Sequence, residues 1–305
     1  MNWFFLALVG PLLYAATNHI DKFLLSKYFQ EGGVGTLLIF SSLLSIVVVP
    51  VLFIFDPMVF NVGSLSILVL SFVGILNIIV LWCYLLALQD DEASAVIVFY
   101  QLVPVLGLLL GYLILGEAIT RTQFVAMVVI LLGTTIMSFD IDANNRLLMR
   151  RRTLFLMLAA VLCWALGSVI FKAVAIEENV TRSFFWEYLV RLIAGVCIFG
   201  FLPSYRGHFL AAMRKNSTSI LSLNIINESF FITGNIIFSF AFMMAPVSLV
   251  LLLDSFQPIF VLGIGILLSM FIPELTVGKL RAAQFWLRVI AISITSIGTY
   301  LLLAY

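Results

Sequence analysis

Tyr14-Ala15-Ala16-Thr17-Asn18-His19-Ile20-Asp21-Lys22 is followed, about 150 residues later, by Trp164-Ala165-Leu166-Gly167-Ser168-Val169-Ile170-Phe171-Lys172. Both stretches run from an aromatic residue through alanine and small or polar residues to isoleucine and then lysine. The pairing divides the chain into two copies of one unit. A duplicated membrane-spanning unit is the signature of a transporter, because alternating access needs two similar halves around a central site.

Composition says that the unit is embedded in lipid. The 305 residues are 63% hydrophobic and 10% charged, with a mean hydropathy of +1.20. A soluble domain of this size cannot hide so much apolar surface. A net charge of +1 gives no electrostatic basis for a nucleic-acid partner. Cys83, Cys163 and Cys197 lie in apolar runs without metal-ligand spacing, so neither a disulfide framework nor a metal site is expected. The first apolar run has no charged n-region before Trp3 and reads as a retained helix.

Crossing about 30 Å of hydrocarbon takes roughly 20 apolar residues. Ten runs are marked, near 3–28, 34–55, 64–88, 93–115, 121–139, 153–176, 183–202, 219–244, 247–271 and 284–304. Turn and charge signals separate them, among them Asp56-Pro57, Glu117, Glu177-Glu178-Asn179, Pro203, Pro246 and Pro273-Glu274. The longest polar segments are 140–152, which joins the halves, and about 203–218. The expected organisation is a first five-helix repeat over 1–139, a basic linker over 140–152 and a second repeat over 153–305. Tyr84, Ala87, Ser94 and Pro104 find counterparts in Phe238, Ala241, Ser248 and Pro258 at one constant offset. Five spans per unit is odd, so the second copy must enter the membrane inverted.

These residues, with Leu115-Gly116-Glu117, resemble an EamA-type member of the drug/metabolite transporter superfamily. The resemblance covers essentially the whole chain. It implies an all-α fold of ten helices, with a central cavity lined by spans 1–4 and 6–9 and with spans 5 and 10 at the periphery. It names no substrate. Pro273-Glu274 departs from the Leu-Gly-Glu pattern. Many family members are expected to keep both termini inside. The charge count reads the other way. Lys27, the arginines of the 146–152 linker, Arg206, Arg214, Lys215, Lys279 and Arg281 share one side, whereas the termini share theirs with Arg121 and Arg182 alone.

A charge in hydrocarbon costs about 2.5–3.5 kcal/mol on insertion scales, so each one asks for a purpose. Lys22 and Lys172 either snorkel or bind solute. Their duplication favours a symmetric cavity. Glu187 and Arg191, four apart on one helix face, can pair with each other or with solute, and Lys172 could join them. Asp254 has no cation in its own helix and is the first candidate for carrying protons, with Glu228 the second. For both, the competing reading is a permanently hydrogen-bonded carboxyl. Arg288 reads as a snorkelling residue and His19 as a helix-contact histidine. Asn18, Tyr84, Tyr100, Asn227 and Gln257 complete the candidate solute site. Asn77, Gln101, Asn224, Asn235 and Ser255 are further polar groups that could equally hold helices together. Pro104 and Pro258 kink their helices, as hinges or as static bends.

The expected activity is secondary transport, with export favoured, of a small polar or amphipathic metabolite, with protons as the candidate coupling ion. No G-x-x-x-x-G-K-[ST] loop is present to use ATP. Movement of a lipid-linked head group is the alternative. An intramembrane enzyme fits poorly, because His19 and His208 are the only histidines and stand far apart. No cofactor is expected. The partners are a small-molecule substrate and the lipid bilayer, and the chain is a monomer or homodimer. The expected location is the cell membrane, in bacteria the inner one.

Overall fold

The computed structural model describes residues 2–27, 33–90, 96, 98–138, 151–271 and 282–304, and among them there is no strand. Lipid offers no partner to a free backbone N–H or C=O, so long apolar segments satisfy themselves as helices. The helices are α1 (Asn2–Lys27), α2 (Gly33–Leu43), α3 (Ser45–Phe55), α4 (Ser64–Asp90), α5 (Val103–Leu115), α6 (Arg121–Ser138), α7 (Arg151–Glu178), α8 (Val180–Phe201), α9 (Pro203–Phe242), α10 (Val247–Leu252), α11 (Gln257–Phe271) and α12 (Ala282–Ala304). Among the described residues seven segments are long and apolar enough to cross a membrane. Three shorter apolar helices accompany them at Phe99–Leu115, Arg121–Ile136 and Val289–Ala304. The protein is an all-α, multi-pass membrane protein. The 140–150 part of the linker, Ser94 and the Pro273-Glu274 turn lie outside the described residues.

One boundary differs from the sequence reading. The polar segment near 203–218 is not a loop. It is the first part of α9, a single helix of 40 residues and therefore about 60 Å long. Pro203 stands in its first turn, where a missing N–H costs nothing. Phe209, Leu210, Ala211, Ala212 and Met213 then favour helix despite their polar neighbours.

Two 3-10 turns interrupt the regular helical geometry. A 3-10 turn at Val98–Leu102 leads into α5, and another at Leu253–Phe256 separates α10 from α11. Each break precedes a proline. Pro104 and Pro258 lack an N–H, and their rings crowd the carbonyl four residues back, on Tyr100 and Asp254 respectively. A tight 3-10 turn absorbs the misfit. The two breaks touch. Gln101 Nε2 donates to the Ser255 carbonyl (3.4 Å), and Thr134 Oγ1 donates to Gln101 Oε1 (2.7 Å).

The helices associate across the two halves of the chain. α4 lies along α7, α1 along α9 and α6 along α12. The last pair meets through glycines. A Cβ on Gly298 would come 2.7 Å from Ile130 Cγ1, so the absence of a side chain sets the approach of the backbones.

Four polar ties close one end of the bundle, and each joins the first half to the second. Lys172 Nζ pairs with Glu117. Arg182 Nε donates to Asp56 Oδ2 at 2.8 Å. The Gly63 N–H donates to Glu178 Oε1 at 2.9 Å, and Trp186 Nε1 donates to the Val59 carbonyl at 2.8 Å. Glu117 also accepts the Val247 N–H at 2.6 Å, satisfying a free donor at the start of α10.

Candidate functional site

Helical period decides which side chains meet at the centre. On α1, Tyr14, Thr17, Asn18 and Asp21 recur at three- and four-residue steps and face one cavity. On α9 the same spacing brings in Asn227, Glu228, Phe231 and Asn235. On α4 it brings in Asn77, Leu81 and Tyr84, and on α8 Glu187 and Arg191. Ser41 of α2, Trp164 of α7, Tyr100 and Asp254 of the two breaks, and Gln257 at the start of α11 close the ring. Seven membrane-length segments and the shorter helix at Phe99–Leu115 thus contribute walls, and among the described residues none of the lining comes from α6 or α12. The cavity between these walls has a volume of about 100 Å³, room for several waters or one small solute.

Nine of the eleven residues proposed from sequence line this cavity: Asn18, Tyr84, Tyr100, Glu187, Arg191, Asn227, Glu228, Asp254 and Gln257. Lys22 and Lys172 do not. Lys22 follows Asp21 by one residue, which turns it about 100° away from the cavity stripe. Lys172 lies eight residues beyond Trp164, or about 12 Å along α7. There it donates to Glu117 and, at 2.6 Å, to the Ala245 carbonyl. Its role in the structure is to close the end of the bundle. The cluster of Lys172 with Glu187 and Arg191 does not form.

The polar groups are held in pairs drawn from different helices. Tyr84 donates to Asn18 Oδ1 (2.9 Å), Asn77 to Glu187 Oε1 (2.8 Å) and Asn227 to Asp21 Oδ1 (2.7 Å). Trp164 Nε1 donates to Asp254 Oδ2 at 3.2 Å. Arg191 turns from Glu187 towards α2 and α9. It donates to Ser41 Oγ, stands 3.9 Å from Glu228 Oε2 and lies over the rings of Tyr188 and Phe231. Several buried atoms keep unused hydrogen-bonding capacity: Asp254 Oδ1, Asn227 Oδ1, Glu228 Oε2, Asn18 Nδ2 and the Tyr14 hydroxyl. A buried polar atom without a partner is costly, and a bound solute can satisfy it.

Sequence reading left out Tyr14, Ser41, Trp164 and Phe231 as site residues, and counted Asp21 among the membrane charges without giving it a role. The signal for Tyr14 and Asp21 was the helical step from Asn18. Ser41 has no comparable signal, since it sits in a run of small and apolar residues. His19 is a helix contact, its Nε2 lying 3.0 Å from the Val261 carbonyl of α11. Asn224 bonds the Ile220 carbonyl of its own helix.

A multi-pass helical bundle around a buried polar chamber is the class this geometry defines. Residues 1–139 match the model of the EamA-like transporter family. No curated protein matches the chain. Among solved structures 27 chains match. One of them, a crystal structure whose description names no function, covers 97% of this chain and 94% of its own with a TM-score of 0.57. At 17% identity that likeness concerns the fold alone.

Proposed function

We propose that the protein is a secondary transporter that carries a small polar or amphipathic solute by alternating access, in the exporting direction. The observation that carries this reading is the chamber: polar side chains from these eight segments converge on it, and four ties between the halves close one end. Two inverted five-helix units account for this arrangement. The cross-half pairing of α1 with α9 and of α4 with α7 supports them, since a twofold axis in the membrane exchanges such pairs. The charge count places the closed end, which holds the lysine- and arginine-poor connections, outside the cell. The location that goes with this reading is the cell membrane, the inner one in a bacterium.

Solute binds to Asn18, Tyr84, Tyr100, Asn227 and Gln257, with Glu187, Glu228 and Arg191 setting the charge of the wall. Asp254 carries the coupling proton. Its second oxygen is unpartnered, and its one hydrogen bond comes from a neutral indole. The other charged groups lining the same cavity are Asp21, Glu187, Arg191 and Glu228. The lipid-head-group alternative has less to rest on, because the two membrane lysines that motivated it lie outside the cavity lining.

The test is a thermal-shift screen of the purified protein against a metabolite library, followed by uptake of each hit into proteoliposomes. Movement of an unmodified solute is expected. Chemical conversion of a hit, or the lack of any gradient-dependent movement, defeats the reading.

A further inference from the structure

The charged groups that line the cavity are four carboxyls, Asp21, Glu187, Glu228 and Asp254, and one guanidinium, Arg191. Arg191 is already engaged. Ser41 accepts from it, Glu228 stands 3.9 Å away, and two rings flank it. One cation thus stands among four carboxyls; it lies nearest Glu228 and its charge is also felt by Glu187, so the lining keeps an excess of acidic groups. A desolvated carboxylate needs a proton or a cation beside it.

Among the unused buried atoms of the lining, Arg191 Nε and Asn18 Nδ2 are donors and the Tyr14 hydroxyl can be either, but three are acceptors. Asp254 is 4% exposed and offers Oδ1 without a partner. Asn227 Oδ1 and Glu228 Oε2 are buried acceptors in the same condition. All three belong to cavity-lining residues and all three accept hydrogen bonds. Aromatic rings supply the rest of the wall: Tyr14, Tyr84, Tyr100, Trp164 and Phe231. Ring faces attract cations and bury apolar bodies.

We infer that the transported solute is a protonated amine with an apolar or aromatic body, its ammonium seated against Asp254 and the unpartnered acceptors of α9. This names the substrate class of the site and rests on the transport reading. An anion would meet the excess of carboxyls. A zwitterion would have to take Arg191 from Glu228 and Ser41.

The experiment measures binding of four solutes that share one aromatic ring. Benzylamine, benzyl alcohol, benzenesulfonate and phenylalanine are titrated calorimetrically into the full-length protein in detergent near neutral pH. Benzylamine is expected to bind saturably and more tightly than the other three. Asp254→Asn is expected to weaken it by about tenfold or more, the loss of a hydrogen bond to a charged group. Glu228→Gln, with its own melting temperature as a check on folding, is expected to weaken it less. The inference is overturned if benzylamine does not bind, or if any of the other three binds as tightly. It is also overturned if neither substitution changes the affinity. Proteoliposomes loaded with the same solutes separate the two readings. Benzylamine that binds but does not cross removes transport and leaves the cation site. Benzenesulfonate crossing in its place removes the cation site and leaves transport.

Discussion

Lys172 of α7 and Glu117 of the α5–α6 connection form an ion pair that spans the two halves, and the same carboxylate accepts the Val247 N–H of α10. Both side chains are shielded, with relative exposures of 7% and 18%. One acidic residue therefore joins three elements at one end of the membrane domain. Removing one partner of a shielded pair leaves the other charged and unanswered, at roughly 3–5 kcal/mol. Lys172→Ala should lower the melting temperature by several degrees while leaving solute affinity of the folded protein within about twofold. An affinity that falls with the lysine would return Lys172 to the solute site.

Asp56 and Arg182 form a second tie at the same end. The Arg182 hydrogen bond, helped by the Met58 N–H, holds the Asp56 carboxyl below its ordinary value. A carboxyl lowered in the folded state contributes stability above its unfolded pKa and loses that contribution as pH falls through the folded one. Melting temperature followed from about pH 5 down to about pH 2.5 should therefore fall more steeply for wild type than for Asp56→Asn. Parallel curves would show that the pair adds nothing to stability.

Asp254→Asn mimics the protonated carboxyl while keeping its shape. It should abolish gradient-driven accumulation in proteoliposomes but leave exchange of solute across the membrane at concentrations raised about tenfold to offset the weaker binding. Accumulation equal to wild type would make Asp254 a hydrogen-bonding group only and pass the coupling role to Glu187 or Glu228.

Gly298 admits the backbone of α6. Any Cβ there meets Ile130 N at 2.9 Å and the Ala126 carbonyl oxygen at 3.1 Å, both parts of a helix that cannot yield locally. Gly298→Val should cost about 1–3 kcal/mol of stability without changing solute affinity, since α12 lines none of the cavity. Unchanged melting would mean that α6 and α12 are not in contact in the membrane.

Orientation is open to direct labelling. In a Cys197→Ser background, which removes the exposed native thiol, an impermeant reagent added outside should reach a cysteine at position 305 and miss one at position 145. The reverse pattern would put the termini inside, as the resemblance suggests.

Much of the site was readable because it follows from helical geometry. Glu187 with Arg191, and Asn227 with Glu228, stand out as polar groups in apolar runs. The lysines misled for a geometric reason. Lys22 and Lys172 repeat faithfully in sequence, but a repeat shows equivalence and not direction, and one residue is a turn of about 100°. Glu117 was noted only as the end of a span, because nothing local reveals that its partner lies 55 residues away. The length of α9 was missed because polarity was read as a break in the helix. Water-facing residues such as Arg206 and Arg214 do not end a helix that leaves the membrane.

The contact between Gln101 and Ser255 joins the two proline-associated turns, and a tilt there would act on α5 as on a lever. α5 runs 13 residues from Val103 to Leu115, about 20 Å, so a tilt of about 10° would displace its far end by about 3 Å, the length of one hydrogen bond. Pro104 and Pro258 lack the donors of the ladder bonds that would resist it. Under the transport reading proposed above, such a tilt would be large enough to part Lys172 from Glu117, and opening would load the sealed end more than the solute.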